Sequence, residues 1–328
     1  MMAREVIGFS DQGPQPLWHL DCDLEISLQS ISRGFSFLSQ AWQMAFKDRD
    51  LLKPSLFSLL ASLGVTVVGI VPLIVAGVLL GTGTLLGQGV MVVLGAILIF
   101  AHFVVGYVFS GMTAYLVYGY VAEGDGRLDK AWAKVQQEFW NLAGLAAAST
   151  LVKLVSGRMR RGGRRGGAAG LLGGALGGLL DAVWTEASYL ILPAIMIENA
   201  SLSVAIKRAT QIARGNLLLI GVSTVGVRWI TGLIGFLVGA IGLVLGLLVG
   251  YGLVAALGST PATLAFGIAL GAIVFFLFIG VANVIGSYTM TAYNTCLFLW
   301  ARDVERAREG GQSAAVPAPA PLAAALQA

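Results

Sequence analysis

The stretch from Ala168 to Glu198, AAGLLGGALGGLLDAVWTEASYLILPAIMIE, limits the folds open to this chain more than any other. Roughly 20 apolar residues at 1.5 Å rise cover about 30 Å of hydrocarbon, so it is long enough to cross a bilayer. Yet it carries Asp181 and Glu186 in its middle. A carboxylate at the centre of a membrane helix costs on the order of 2.5–3.5 kcal/mol on insertion scales, so neither is expected to face lipid. Both should look toward other helices or water. No comparably charged stretch lies inside the other apolar runs.

Composition makes the membrane reading general. Hydrophobic residues form 57% of the 328-residue chain, charged residues only 12%, and the mean hydropathy is +0.82. Soluble domains sit near 25% charged, so this surface cannot be mainly water-facing. The fold expected is all-α and polytopic. Net charge is +4, with basic residues concentrated between the apolar runs, where anionic headgroups would meet them. Cys22 and Cys296 stand far apart and read as two unpaired thiols in a reducing compartment. The segment His19-Leu20-Asp21-Cys22-Asp23 has metal-ligating residue types, but no second Cys/His cluster completes a site, so no metal or cofactor is expected.

Residues 1–30 are polar, with Pro14 and Pro16, and read as a tail without the pattern of a cleaved signal peptide. A membrane domain over 31–308 follows. It opens on an amphipathic helix over 31–47, with Ile31, Phe35, Leu38, Trp42 and Phe46 on one face; too polar to span, it should lie in the interface. Spans are expected at about 56–80, 90–121, 140–156, 171–197, 216–250 and 262–300. Further interfacial helices fall at 127–139 (Leu128, Trp132, Val135, Phe139) and 201–214 (Leu202, Ile206, Ala209, Ala213). Pro72 should kink the first span. Tyr107, Tyr115, Tyr118 and Tyr120 read as an aromatic belt closing the second. The segment 157–167, GRMRRGGRRGG, reads as a flexible basic loop, and 309–328 as a disordered Pro/Ala tail.

The windows 41–52, 131–142 and 205–217 resemble one another, each an amphipathic basic helix leading into two apolar runs. The chain then reads as three hairpins, each preceded by an interfacial helix, with both termini on one face. That face carries fourteen of the twenty-one Lys and Arg residues, so the positive-inside rule makes it cytoplasmic. Arg158, Arg160, Arg161, Arg164 and Arg165 stand against this assignment, since they fall in an outer loop. Failure of the short run 140–156 to span would place six other basic residues outside instead, and the repeat favours six spans.

Three segments carry a family likeness: RGFSFLSQAWQMAFKDRDLLKPSLFSLL (33–60), YVAEGDGRLDKAWAKV (120–135) and LPAIMIENASLSVAIKRATQIAR (192–214). They resemble the DUF6159 family of bacterial integral membrane proteins, whose opening has the form RGW…SW…L…DKELL. The likeness extends over about Ser32 to Trp300. The chain departs from the pattern at Asp48-Arg49-Asp50 and in its Arg/Gly-rich loop. The resemblance implies a membrane protein and supplies no chemistry.

The residues able to carry chemistry are few. Asp181 and Glu186 are five apart, about 140° round a helix, and do not share one narrow face. Glu186 and Arg228 match in depth and are expected to pair; Lys153 is the expected partner of Asp181. Such pairs either lock helix register or line an ion or proton path. His102 reads as a hydrogen-bonded packing residue or a relay. Asn283, Ser287, Thr291 and Thr295 recur every four residues, a polar stripe for interhelical bonding or for a wet cavity. Glycine ridges at Gly170/Gly174/Gly178, Gly173/Gly177, Gly235/Gly239 and Gly242/Gly246/Gly250 suit either a tight bundle or contact between copies. The five loop arginines should meet lipid headgroups rather than nucleic acid. With no hydrolase or metalloprotease motif, the expectation is a non-catalytic protein that scaffolds partners or organises lipid in a bacterial cytoplasmic membrane. A small-solute or ion transporter using Asp181, Glu186 and Arg228 is the alternative.

Overall fold

A computed structural model describes residues 35–81, 83–163, 168–215, 217–258, 260–310 and 316–327. Helix α1 covers 35–47 and ends in a 3-10 turn at Arg49–Leu51. Then come α2 (Lys53–Leu80), α3 (Leu85–Glu123), α4 (Leu128–Gly163), α5 (Ala168–Glu198), α6 (Leu202–Gly215), α7 (Leu217–Leu257), α8 (Pro261–Glu309) and α9 (Ala320–Gln327). No strand occurs among the described residues. Six of these helices, α2, α3, α4, α5, α7 and α8, are long and apolar enough to cross a membrane.

Local chemistry sets the helix ends. Pro54 occupies the first turn of α2, where its missing N–H costs nothing. The Thr84 hydroxyl accepts the Gly87 N–H at 3.0 Å and caps α3. Gly124, at φ +80°, closes the same helix in the left-handed region that a side chain would disfavour. Thr260 caps α8, accepting from Thr263 N at 3.2 Å, with Pro261 as the first helical residue. Asn199, at φ 55°, ends α5. Pro72 and Pro193 both lie inside unbroken helices.

Helices consecutive in the chain pack antiparallel: α2 on α3, α3 on α4, α4 on α5, and α7 on α8. The buried core gathers at one end, where α1, the C-terminal parts of α3, α5 and α8, the start of α4 and α6 meet. There Phe37 stands edge-on to Tyr293 at 5.1 Å, and Trp42 to Tyr288 at 5.8 Å. The Trp42 indole donates to Thr289 Oγ1 (3.2 Å) and the Tyr288 hydroxyl to the Ala41 carbonyl (2.9 Å), so α1 is fixed to α8 across the sequence. Asp48 joins two turns: Oδ1 accepts from Asp50 N and Oδ2 from Gly126 N at 2.8 Å. A Cβ at position 126 would lie 2.8 Å from that oxygen, which explains the second glycine of Gly124-Asp125-Gly126. Arg208 on α6 reaches Glu198 at the end of α5 (3.3 Å) and Glu305 on α8 (2.5 Å). Away from this end, α2, α7 and the first half of α8 expose their large apolar side chains.

Three expectations differ from what is found. The helix expected at 127–139 and the run at 140–156 form one continuous helix, α4, because nothing between them breaks the hydrogen-bond ladder. The segment expected as a basic loop is helical over 157–163, with Arg158, Arg160 and Arg161 on α4. The tail is not disordered over 320–327, where an Ala-rich turn with Pro321 near its start forms α9. Leu322 is fully buried there, and the Trp300 indole donates to the Val316 carbonyl at 3.2 Å. The expected N-terminal tail, Cys22, Arg164 and Arg165 lie outside the described residues.

Candidate functional site: a charge network among α4, α5 and α7

The charges expected inside the spans meet on three adjacent helices. Asp181 on α5 receives Lys153 Nζ of α4 at 2.9 and 3.0 Å on its two oxygens. Arg160, seven residues further along α4 and therefore on the same face, adds a contact at 3.3 Å. Glu186 is paired with Arg228 of α7. The 140° between the two carboxylates, from a step of five residues, directs one to α4 and the other to α7. Each carboxylate therefore has its own cation.

A neutral hydrogen-bond hub supports the network. Ser149 donates to the Leu145 carbonyl (2.9 Å), which uses its only proton. Its oxygen therefore accepts from the Trp184 indole (2.8 Å) and from the Tyr107 hydroxyl (2.7 Å). The hub joins α3, α4 and α5 through three side chains. Tyr107, read from sequence as part of an interfacial belt, instead points into the bundle.

His102 on α3 lies near the same level. Its Nδ1 is 2.9 Å from the Leu98 carbonyl, which can only accept, so that nitrogen carries the proton. Nε2 is 2.9 Å from Thr66 Oγ1, and that hydroxyl is also 2.8 Å from the Ser62 carbonyl. One hydroxyl proton serves one of these acceptors at a time when the ring is neutral. His102 and Lys153 line a common groove of about 480 Å³ with Leu98, Ile99 and Phe103.

The polar stripe of α8 divides. Asn283 is exposed and Ser287 half-buried, whereas Thr291 and Thr295 are buried in the core. Thr295 bonds back to the Thr291 carbonyl at 2.7 Å. The interhelical bond comes from a different position, Thr289, which receives Trp42. Among the described residues, Thr291 Oγ1 has no hydrogen-bond partner. Cys296 is a free thiol, fully buried.

The glycine ridges are used unequally. A Cβ on Gly246 would lie 2.5 Å from the Gly271 carbonyl oxygen, and one on Gly250 2.8 Å from that of Gly267. These ridges therefore serve α7–α8 contact within the chain. On α5, a Cβ on Gly177 would lie 2.8 Å from the Ser156 carbonyl oxygen of α4. Gly174 and Gly235 face open space. Several contributors escaped the sequence reading: Arg160, the Ser149 hub, and Gly267 and Gly271. Arg160 had a signal in its spacing of seven from Lys153, and Gly267 and Gly271 in the four-residue spacing of the other ridges.

Together the helices and their paired inner charges define a multi-pass helical membrane protein. No family model matches the chain, and no curated protein matches it significantly.

Proposed function

We propose that this is a non-catalytic integral membrane protein that scaffolds partners or organises lipid in the bacterial cytoplasmic membrane. The observation that carries the reading is charge compensation inside the spans: Asp181 against Lys153 and Arg160, Glu186 against Arg228. A carboxylate already holding a cation fixes the register of two helices and needs no substrate to be stable. In this reading the chain is three hairpins, each preceded by an amphipathic segment, with both termini cytoplasmic. Fourteen of twenty-one basic residues on that side support the orientation. Likeness to the DUF6159 family supports the bacterial membrane setting.

The contact surface is the aromatic face at the start of α4, where Trp132, Phe139 and Trp140 are exposed. Trp42 is less suitable as a contact, because it is engaged with Thr289 and Tyr288. In membranes carrying the full chain, Trp132→Ala with Trp140→Ala is expected to lower crosslinking to neighbouring proteins several-fold. Asp181→Asn with Glu186→Gln should leave it unchanged. The transporter alternative draws on the groove shared by His102 and Lys153. Flux of an ion or small solute into proteoliposomes, lost on Glu186→Gln, would replace the scaffold reading with that one.

A further inference from the structure

The far half of α4 carries more positive charge than its surroundings answer. Lys153, Arg158, Arg160 and Arg161 fall within 153–161, while α5 over 172–181 offers only Asp181 among the described residues. Helix α2 has no acidic residue, and the one in α3, Glu123, lies at the opposite end. Lys153 and Arg160 lie about 10 Å apart along one face of α4 and converge on the same carboxylate. Two cations against one anion leave a positive charge unbalanced on a half-exposed helix face, a position that favours a counter-anion.

A place for that anion adjoins the cluster. Lys153 lines the groove between α3 and α4, whose other walls are Leu98, Ile99, His102 and Phe103. The His102 nitrogens are engaged by Leu98 O and Thr66 Oγ1, so the ring supplies surface while Lys153 supplies charge. Of the three ammonium donors, two can point to Asp181 and one remains. An apolar trough with a cation at its rim has the shape and charge of a site for a lipid chain joined to an anionic head. We propose that this groove holds one anionic phospholipid, its phosphate at Lys153 and Arg160 and an acyl chain along Leu98, Ile99 and Phe103. The inference rests on the lipid-organising reading above and names the lipid class.

The test uses the purified full chain in mild detergent, with native mass spectrometry counting bound phosphatidylglycerol or phosphatidylcholine of matched chains. One phosphatidylglycerol should be retained with a preference of roughly tenfold or more, the scale expected for two cations near a phosphate. Lys153→Gln with Arg160→Gln should abolish the preference, and Arg158→Gln with Arg161→Gln should keep it. If the first double variant fails to fold, Arg160→Gln alone should lower the preference in the same direction. Asp181→Asn frees both cations and should tighten phosphatidylglycerol severalfold, whereas a purely structural contact would loosen it. Equal retention of the two lipids, or no loss on removing Lys153 and Arg160 or Arg160 alone, overturns the proposal. So does weaker binding by Asp181→Asn with helical content intact. Displacement by millimolar inorganic phosphate would reassign the groove to a free anion and overturn the lipid assignment. Crosslinking through Trp132 and Trp140 and the flux measurement do not depend on this groove, so the scaffold reading fails or survives separately.

Discussion

Two helix pairs in this molecule are held together by opposite means. Helices α7 and α8 meet backbone to backbone, with Gly246 and Gly250 against Gly271 and Gly267, so close that any Cβ would collide with a carbonyl oxygen. Helices α4 and α5 meet largely through side chains: Lys153 and Arg160 on Asp181, Trp184 on Ser149, with Gly177 as the one comparable close approach among the described residues. The first pair is fixed by shape and the second by charge and hydrogen bonding. In lipid, apolar surface alone gives helices little reason to associate, so each pair needs such a device. Shape fixes distance; point charges fix register, since a slip of one turn, about 5.4 Å, would separate Lys153 from Asp181.

The comparison breaks most sharply at the glycines. Gly271→Leu should force α7 and α8 apart and cost about 3 kcal/mol or more, at the upper end of overpacking effects, read as loss of folded protein on size exclusion. Asp181→Ala leaves two cations without their carboxylate and should cost roughly 1–3 kcal/mol, less than a fully buried pair because both cations are half exposed. It should appear as a lower unfolding midpoint in detergent. Ser149→Ala orphans the Trp184 donor, removes one of the two partners of the Tyr107 hydroxyl, and should cost about 1–2 kcal/mol in the same assay. Asn283→Ala, on the exposed end of the α8 stripe, should change the midpoint by less than about 0.5 kcal/mol. If Asn283→Ala proved as costly as Ser149→Ala, the division of polar groups into hub and surface would be mistaken.

The sequence made the charged pair easier to read than the glycine pair. A carboxylate in an apolar run demands a partner: depth along each span nominates Arg228 for Glu186, and Lys153 is then the partner expected for Asp181. Glycine makes no such demand: the ridge at Gly242/Gly246/Gly250 was read, whereas Gly267 and Gly271, which carry the same four-residue spacing, form a single step and name no partner helix. Periodicity located the long helices and misjudged their joins. Amphipathic and apolar segments fuse into α4 because a change of polarity is not a helix terminator, whereas Gly124 at positive φ is. The core end was the least legible part. Asp48 to Gly126, Trp42 to Thr289 and Arg208 to Glu305 are long-range contacts, and no local pattern announces them.

The central claim is that the inner charges hold helices to one another. A charge swap at Glu186 and Arg228 tests it most directly, with the thermal unfolding midpoint of the purified chain as the readout. Glu186→Arg alone and Arg228→Glu alone should each lower the midpoint by placing like charges together, and the double exchange should recover most of the loss. A double exchange that unfolds at or below the sum of the two single losses would contradict the account.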